Sequence, residues 1–148
     1  MINKGLFSSN TEMWGTPQLL FNQLNEEFHF DLDVCAIKEN AKCEKFFSPE
    51  DDGLKQPWYG NCFMNPPYGS VIKFWIEKAY KESLYNEKVN IVVGLLPSRT
   101  DTKYFHSFIY NKSEIRFIKG RLKFNDDKGP APFPSMIVIW KKFVRQIT

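Results

Sequence analysis

The chain has 148 residues, with 20 Lys or Arg against 17 Asp or Glu, which gives a formal charge of +3. This length fits one domain, and a hydrophobic share of 43% excludes an intrinsically disordered chain. The mild basicity permits a nucleic-acid partner without requiring one. No apolar run approaches the ~18 residues that span a bilayer, so we expect no membrane association. Cys35, Cys43 and Cys62 match no Cys-x-x-Cys pattern, and we expect reduced thiols, no metal and a cytoplasmic location.

The first predicted element is a helix, and the second is a strand. Thr16 and Pro17 predict the helix start, with Thr16 as N-cap and Pro17 at the first helical position. Apolar residues follow at helical spacing as far as Phe28. Apolar and polar side chains then alternate over 28–34, which predicts a strand with Asp33 at its carboxyl end.

The next segment is irregular and leads into a conspicuous motif. Residues 35–56 fit a short helix near 37–41 and a short strand near 42–46, while Pro and Gly break the rest into loop. A short apolar strand is predicted over 61–64. It is followed directly by Asn65-Pro66-Pro67-Tyr68-Gly69.

Helices and strands alternate through the rest of the chain. The predicted elements are a helix over 71–85 capped by Ser70, a strand over 90–96, a helix over 102–110, a strand over 114–118 that resumes at 122–124, and a strand over 135–140. This alternation predicts an α/β fold of about seven strands, mostly parallel, with right-handed crossovers. Because no helix separates the last two strands, we expect an antiparallel pair at one edge.

The Asn65-Pro66-Pro67-Tyr68 tetrapeptide has the chemistry to hold a planar amine. Ligands of open α/β sheets bind at the carboxyl ends of strands, where this motif is predicted to lie. The Asn65 side-chain oxygen and the Pro66 carbonyl can both accept from one –NH2 group, and two prolines make the backbone rigid. Acceptors at that nitrogen stabilise the positive charge that develops when it attacks an electrophile. Tyr68 offers a face for stacking on a ring such as adenine. A structural Pro-Pro turn between a strand and a helix fits the same four residues.

In its strand and helix context, this motif resembles the [Asn/Asp]-Pro-Pro-[Tyr/Phe/Trp] motif of the phage-type DNA adenine-N6 methyltransferase family. The resemblance extends over about residues 12–141. It implies a single Rossmann-like methyltransferase domain over 1–148, with a mixed, mostly parallel sheet that has an antiparallel edge. We expect no separate target-recognition domain. The implied reaction moves a methyl group from S-adenosyl-L-methionine to N6 of an adenine flipped out of double-stranded DNA, without a metal.

The resemblance also implies cofactor-binding positions along the first half of the chain. These are Thr16, Pro17, Asp33, Cys35, Ala36, Asp52 and Leu54. The usual Gly-rich loop after the first strand is missing, so the backbone approach to the cofactor relies on the small side chains of Cys35 and Ala36. From the residues themselves, Asp33 also fits a turn acid, and Asp52 fits a solvated acidic loop.

Four positions are candidates for DNA contact: Ser98, Arg99, Arg121 and Phe124. Arg99 follows the central strand at the same sheet edge as Asn65 and fits either a phosphate or base contact or an ordinary surface arginine. Phe124 fits either stacking on the target base or core packing. With only short loops left for recognition, we expect a relaxed or very short target site, and a homodimer is one option for the assembly.

Two other functions fit the same residues. The first is a methyltransferase acting on another amine, such as an RNA base or a protein glutamine. The second is a non-enzymatic nucleic-acid-binding relic of the fold, although a relic has no need of the intact acceptors in the Asn-Pro-Pro-Tyr motif. The favoured interpretation remains DNA adenine methylation in the cytoplasm of a bacterial or phage-infected host cell.

Overall fold

The computed structural model describes residues 14–125 and 129–142. Its helices are α1 (Gln18–Phe28) and α2 (Ile72–Tyr85). Its strands are β1 (Leu32–Asp33), β2 (Gly60–Met64), β3 (Val89–Pro97), β4 (Glu114–Phe117) and β5 (Ser135–Lys141), and a π-helical turn, Phe105–Ile109, lies between β3 and β4. Neither α1 nor α2, within these described ranges, has the length and apolar character that crossing a membrane demands.

The strands form one sheet in the order β1-β2-β3-β5-β4. β1, β2 and β3 are parallel, whereas β5 runs antiparallel to both of its neighbours. The parallel step from β2 to β3 needs a crossover, which α2 provides. The predicted mixed α/β sheet is therefore confirmed, with its antiparallel pairs towards one edge. The described residues contain five strands rather than about seven.

Strands β3 and β5 form the centre of the core. Every residue of β3 except Asn90 is buried, as are the first six residues of β5. Trp75 and Ile76 on the apolar face of α2 are completely buried with them. Continuous apolar runs identify strands covered on both faces, and 3.6-residue periodicity identifies a helix covered on one, which is why these elements match their predictions closely.

The predicted strand over 28–34 is largely wrong. Phe28 instead ends α1, and His29 caps it with a left-handed φ of 52°. Asp31 bonds to Asn61 through both its backbone and its side chain: its N–H donates to the Asn61 carbonyl, and its carboxylate accepts from the Asn61 N–H, each at 2.8 Å. Only Leu32 and Asp33 pair with β2 as a strand. Alternation over a few residues cannot distinguish a strand from a helix end followed by a turn.

The segment between β1 and β2 is even less regular than predicted. Residues 37–40 form a turn instead of the predicted helix over 37–41; in it, Asn40 N–H donates to the Ile37 carbonyl and Ile37 N–H donates to the Asn40 side chain. The predicted strand over 42–46 is reduced to a single bridge between Phe46 and Asp33. Residues 122–124 likewise form no strand. Asn side chains that bond nearby backbone compete with regular structure in such short segments.

Both predicted helix caps are wrong. Pro17 occupies the N-cap position of α1, one residue later than predicted, and Val71 rather than Ser70 is the N-cap of α2. Neither helix has a side-chain cap hydrogen bond. The predicted helix over 102–110 is mainly the π-helical turn, in which Tyr110 N–H reaches back five residues to the Phe105 carbonyl.

Candidate active site

The Asn-Pro-Pro-Tyr motif lies at the carboxyl edge of the parallel strands. Asp33 ends β1, Asn65 follows β2 and Ser98 follows β3. Because these three strands are parallel neighbours, their carboxyl ends meet at one edge of the sheet. Gly69 then turns the chain towards α2 with a φ of 101°, a conformation that a glycine adopts without strain.

The side chain of Asn65 is held so that its oxygen stays unpaired. Its amide nitrogen donates to the Trp14 carbonyl and to the Thr16 hydroxyl, the latter at 2.9 Å. A carbonyl only accepts hydrogen bonds, so the contact with Trp14 requires the amide –NH2 on that side. The Asn65 Oδ1 atom is buried and has no hydrogen-bond partner. An unpaired buried acceptor costs about 1–3 kcal/mol, which a donor on a ligand would recover.

Tyr68 is buried within an aromatic cluster that also contains Trp14, Phe124 and Phe133. Its ring centroid lies 6.3 Å from that of Phe124 and 5.6 Å from that of Phe133. Its hydroxyl donates to the Leu95 carbonyl at 2.9 Å, and burial raises the pKa of this phenol well above 10.0. Phe124 is 1% exposed. Both rings proposed for base stacking are therefore covered, so a base can reach their faces only if the aromatic cluster opens.

A narrow cleft connects the motif with several predicted cofactor positions. Its lining comes from three stretches of chain: Trp14, Gly15, Thr16, Asp33, Cys35, Asn40, Lys42, Phe63, Asn65 and Pro66. The structure thus brings Thr16, Asp33 and Cys35 together with the first two motif residues. Thr16 is 4% exposed, and its hydroxyl serves Asn65 rather than the start of α1.

Asp33 is the buried carboxyl group of this cleft. It is 2% exposed and accepts from the backbone N–H groups of Cys35 at 3.4 Å and Lys42 at 3.0 Å. Burial raises the pKa of Asp33 from 3.8 to about 7, although these two hydrogen bonds act in the opposite direction. The group can therefore ionise near neutral pH, most readily when a cation enters the cleft.

The remaining predicted cofactor positions lie outside the cleft lining. Asp52 adopts a left-handed φ of 57°, and its side chain accepts from Leu54 N–H at 3.2 Å and approaches Lys55 Nζ at 3.9 Å. Leu54 instead lines a groove along α2. Pro17 caps α1, and Ala36 is buried with its N–H bonded to the Phe47 carbonyl.

The predicted DNA-contact residues occupy different surroundings. Arg99 is exposed and lines a second cleft beside the motif, with Gly69 and Tyr104 among its neighbours. Ser98 Oγ is buried without a hydrogen-bond partner. Arg121 is exposed and makes one long bond, 3.4 Å, to the Ala131 carbonyl. Arg99 and Ser98 thus flank the motif, whereas Arg121 lies on the C-terminal loop.

Several site residues were not predicted from sequence. Asn40, Lys42 and Phe63 line the cleft, and Phe133 closes the aromatic cluster. None belongs to a motif, and their proximity to Asn65 arises only when the strands align. In the parts of the chain that the structure describes, no three His, Cys, Asp or Glu side chains gather as a metal site requires.

The chain is similar to known proteins over most of its length. A family model described as DNA N-6-adenine-methyltransferase (Dam) matches residues 5–148. A DNA N-6-adenine-methyltransferase of Haemophilus phage HP1 (strain HP1c1) is 33% identical over 142 residues, covering 90% of this chain and 80% of the relative. One of Escherichia phage T1, with the same description, is 33% identical over 114 residues, covering 75% of this chain but only 46% of the relative.

A solved structure shows the fold. It is a dimethyladenosine transferase from Plasmodium falciparum, similar with a TM-score of 0.55 at 12% sequence identity. The match covers 92% of this chain and 65% of that one. At this identity the likeness concerns the fold alone, and it confirms the predicted Rossmann-like methyltransferase architecture.

Proposed function

The chain belongs to the DNA N-6-adenine-methyltransferase (Dam) family, and we propose on that premise that it methylates N6 of adenine in DNA with S-adenosyl-L-methionine as donor. Thr16, Asp33 and Cys35 would hold the cofactor, which would supply an electrophilic methyl group. The adenine nitrogen would take this methyl group as its bond to sulfur breaks, leaving a neutral thioether, and would release one proton to water. An amine is nucleophilic enough for this direct transfer, so no covalent enzyme intermediate is needed. No cysteine is needed as a nucleophile, and burial raises the pKa of each of the three thiols.

The observation that carries the proposal is the unpaired Asn65 oxygen. It is a buried acceptor whose orientation the protein fixes, at the edge of the sheet where ligands bind. A hydrogen bond from the adenine amine satisfies it. The Pro66 carbonyl is the second acceptor for the same amine. Together they stabilise the positive charge on nitrogen as the new bond forms, and both act in a site shielded from water.

The cleft beside Asn65 fits the cofactor by charge. S-adenosyl-L-methionine carries a cationic sulfonium and a methionine end with an ammonium and a carboxylate, and the cleft offers groups of both signs, the buried carboxyl of Asp33 and the ammonium of Lys42. Thr16 and Cys35 complete the polar and small lining. When bound, the cofactor supplies an electrophilic methyl group. Asp52 and Leu54 stay candidates for its adenosine end, although they lie outside the lining of this cleft.

Access to N6 requires the target adenine to leave the base stack, because its amine is otherwise paired. Tyr68 is the proposed stacking partner once the aromatic cluster opens, and the Phe124 ring lies edge-to-face with it at 6.3 Å. Arg99, which is exposed beside the motif, is the proposed contact to the phosphate backbone next to the flipped base, and Arg121 extends the basic surface. Ser98 stays a candidate, although its hydroxyl is buried in this structure. We propose double-stranded DNA as substrate, a short or relaxed target site, and action in the cytoplasm of a bacterial or phage-infected cell. A homodimer is compatible with this function.

The test is Asn65→Ala in the purified protein. We expect methyl transfer to DNA to fall by at least about 100-fold, because one of two acceptors at the reacting nitrogen is lost. Circular dichroism and calorimetry should show that the fold and cofactor binding persist. Asn90→Ala is the matched control: it removes an exposed amide near the opposite end of β3 and should leave turnover unchanged. Near-normal turnover of Asn65→Ala would refute the mechanism.

Labelled methyl transfer to DNA, RNA and protein, measured side by side, tests the substrate. Label in DNA adenine supports the proposal. Label found only in RNA or in protein glutamine would mean that the enzyme methylates a different substrate nitrogen. Absence of cofactor binding at millimolar concentration would contradict the assignment of the cleft. Sequencing of DNA with modified-base detection then reads the target site directly.

A further inference from the structure

The Trp14-Gly15-Thr16 segment is attached to the chain on two sides. On one side, the Trp14 carbonyl and the Thr16 hydroxyl both accept from the Asn65 amide. On the other, Gly15 N–H donates to Asn125 Oδ1 at 3.0 Å, and Asn125 N–H donates to the Gly15 carbonyl at 2.8 Å. Asn125 is therefore hydrogen-bonded to both the N–H and the carbonyl of Gly15, the residue between Trp14 and Thr16 that Asn65 contacts.

The position of the Trp14 carbonyl decides what Asn65 presents to a substrate. A primary amide rotated by half a turn exchanges its oxygen for its –NH2 group at nearly the same positions. Only the carbonyl of Trp14, which cannot donate, excludes the rotated form. Displacing it would let Asn65 turn its –NH2 towards the substrate amine, and two donors facing each other form no hydrogen bond.

The fit between Gly15 and Asn125 is tight. A Cβ atom on Gly15 would lie 2.2 Å from Asn125 Oδ1 and 3.2 Å from its Cγ, whereas the Asn125 Cα is 3.8 Å away. Asn125 itself has a left-handed φ of 61°, which asparagine tolerates better than most residues. The Trp14 ring also packs on Phe124 at 5.5 Å, next to Asn125 in the chain. Segment and loop are thus joined by both polar and aromatic contacts.

We propose that Asn125 is a positioning residue for methyl transfer. Its paired hydrogen bonds to Gly15 fix the Trp14 carbonyl, and that carbonyl keeps the Asn65 oxygen available as an acceptor. The inference rests on the proposed function, because it assigns the Asn65 oxygen to the substrate amine. It connects a loop 60 residues beyond the motif to the reacting atoms without direct contact.

The test uses a pair of substitutions whose effects should not be additive. In Gly15→Ala, the new methyl group forces the Asn125 side chain away and breaks its bond to Gly15, so kcat should fall about tenfold or more. KM for DNA should change by less than about threefold, since the phosphate contacts are untouched. Asn125→Gly keeps the left-handed backbone and removes the atoms that the methyl group meets. The double variant should therefore recover the kcat of Asn125→Gly, well above that of Gly15→Ala.

Asn125→Asp is the conservative variant. It preserves the Oδ1 acceptor for Gly15 N–H, and we expect its kcat to remain within about threefold of the parent, above that of Asn125→Gly. If Gly15→Ala does not fold, this comparison of Asp with Gly at position 125 carries the test. The proposal is overturned if kcat is equal in all variants, or if the losses in the two single variants simply multiply in the double variant. A parent protein that methylates no DNA would overturn the proposed function instead.

Discussion

Asp33 makes a sharp prediction about how stability depends on pH. Burial raises the pKa of its carboxyl from 3.8 to about 7 in the folded chain. The folded state then keeps this proton at pH values where the unfolded state has lost it. The contribution of the Asp33 proton to the free energy of unfolding is therefore fully present below about pH 3.8 and is lost as the pH rises through about 7. This direction is opposite to that of a carboxylate held in an ion pair.

The magnitude follows from the two pKa values. Each unit of difference corresponds to about 1.4 kcal/mol, and most of the change falls between the two values. Between about pH 5 and about pH 8, the free energy of unfolding should fall by roughly 2–3 kcal/mol through Asp33 alone. Because this group is 2% exposed, solvent screening does not reduce the effect much.

The assay is urea unfolding of the parent protein and of Asp33→Asn across this pH range. Asparagine cannot ionise, so the difference between the two proteins isolates Asp33 and cancels every other titrating group. The asparagine loses one of the hydrogen bonds that the carboxylate accepts from the backbone N–H groups of Cys35 and Lys42. This loss changes the free energy of unfolding by an amount that does not vary with pH. We expect the parent to lose stability relative to Asp33→Asn as the pH rises. A difference that is flat or has the opposite slope would mean that Asp33 is already ionised in the folded state, and the reasoning would be wrong.

Two further predictions concern packing around the site. Gly53→Ala should lower the free energy of unfolding by about 1–3 kcal/mol, because its Cβ would lie 2.2 Å from the Val34 carbonyl oxygen. Gly129→Ala is the control, since a Cβ there meets nothing within 4 Å. Equal urea midpoints for the two variants would contradict the predicted clash. Tyr68→Phe should cost about 1 kcal/mol of stability, through loss of the 2.9 Å hydrogen bond to the Leu95 carbonyl, but should retain kcat within a few fold. Loss of turnover at full stability would instead give the hydroxyl a direct part in the chemistry.

The local predictions succeeded where one pattern dominates the segment. The apolar run over 90–96 gives β3, and the helical periodicity over 71–85 gives α2, each within a residue or two. Segment 35–56 failed because its short stretches have no dominant period. Its backbone hydrogen bonds go instead to side chains such as Asn40 and Asp33, which no local propensity describes.

The sites divide in a similar way. The position of Asn65 after a strand follows from the sequence, because a motif next to an apolar run must lie at the end of a strand. That its oxygen is unpaired does not follow from the sequence, because the amide orientation is set by a hydrogen bond to Trp14, 51 positions away. The Trp14 segment is in turn hydrogen-bonded to Asn125, 110 positions from Gly15. Phe124 illustrates the same limit: its ring chemistry fits both stacking and packing, and the 1% exposure decides for packing in this state.

The sequence by itself determined the family and the reaction class and predicted Asn65 as the residue that meets the amine, because these depend on residue type and on the order of several motifs along the chain. Only the tertiary structure decided which way the Asn65 amide faces, that Asp33 is buried and the pKa of its carboxyl therefore raised, and that Asp52 and Leu54 lie outside the cleft lining. The physical reason is that hydrogen-bond orientation and desolvation depend on neighbours brought together by the sheet. A motif specifies which atoms can act, and the packed chain specifies whether they are free to do so.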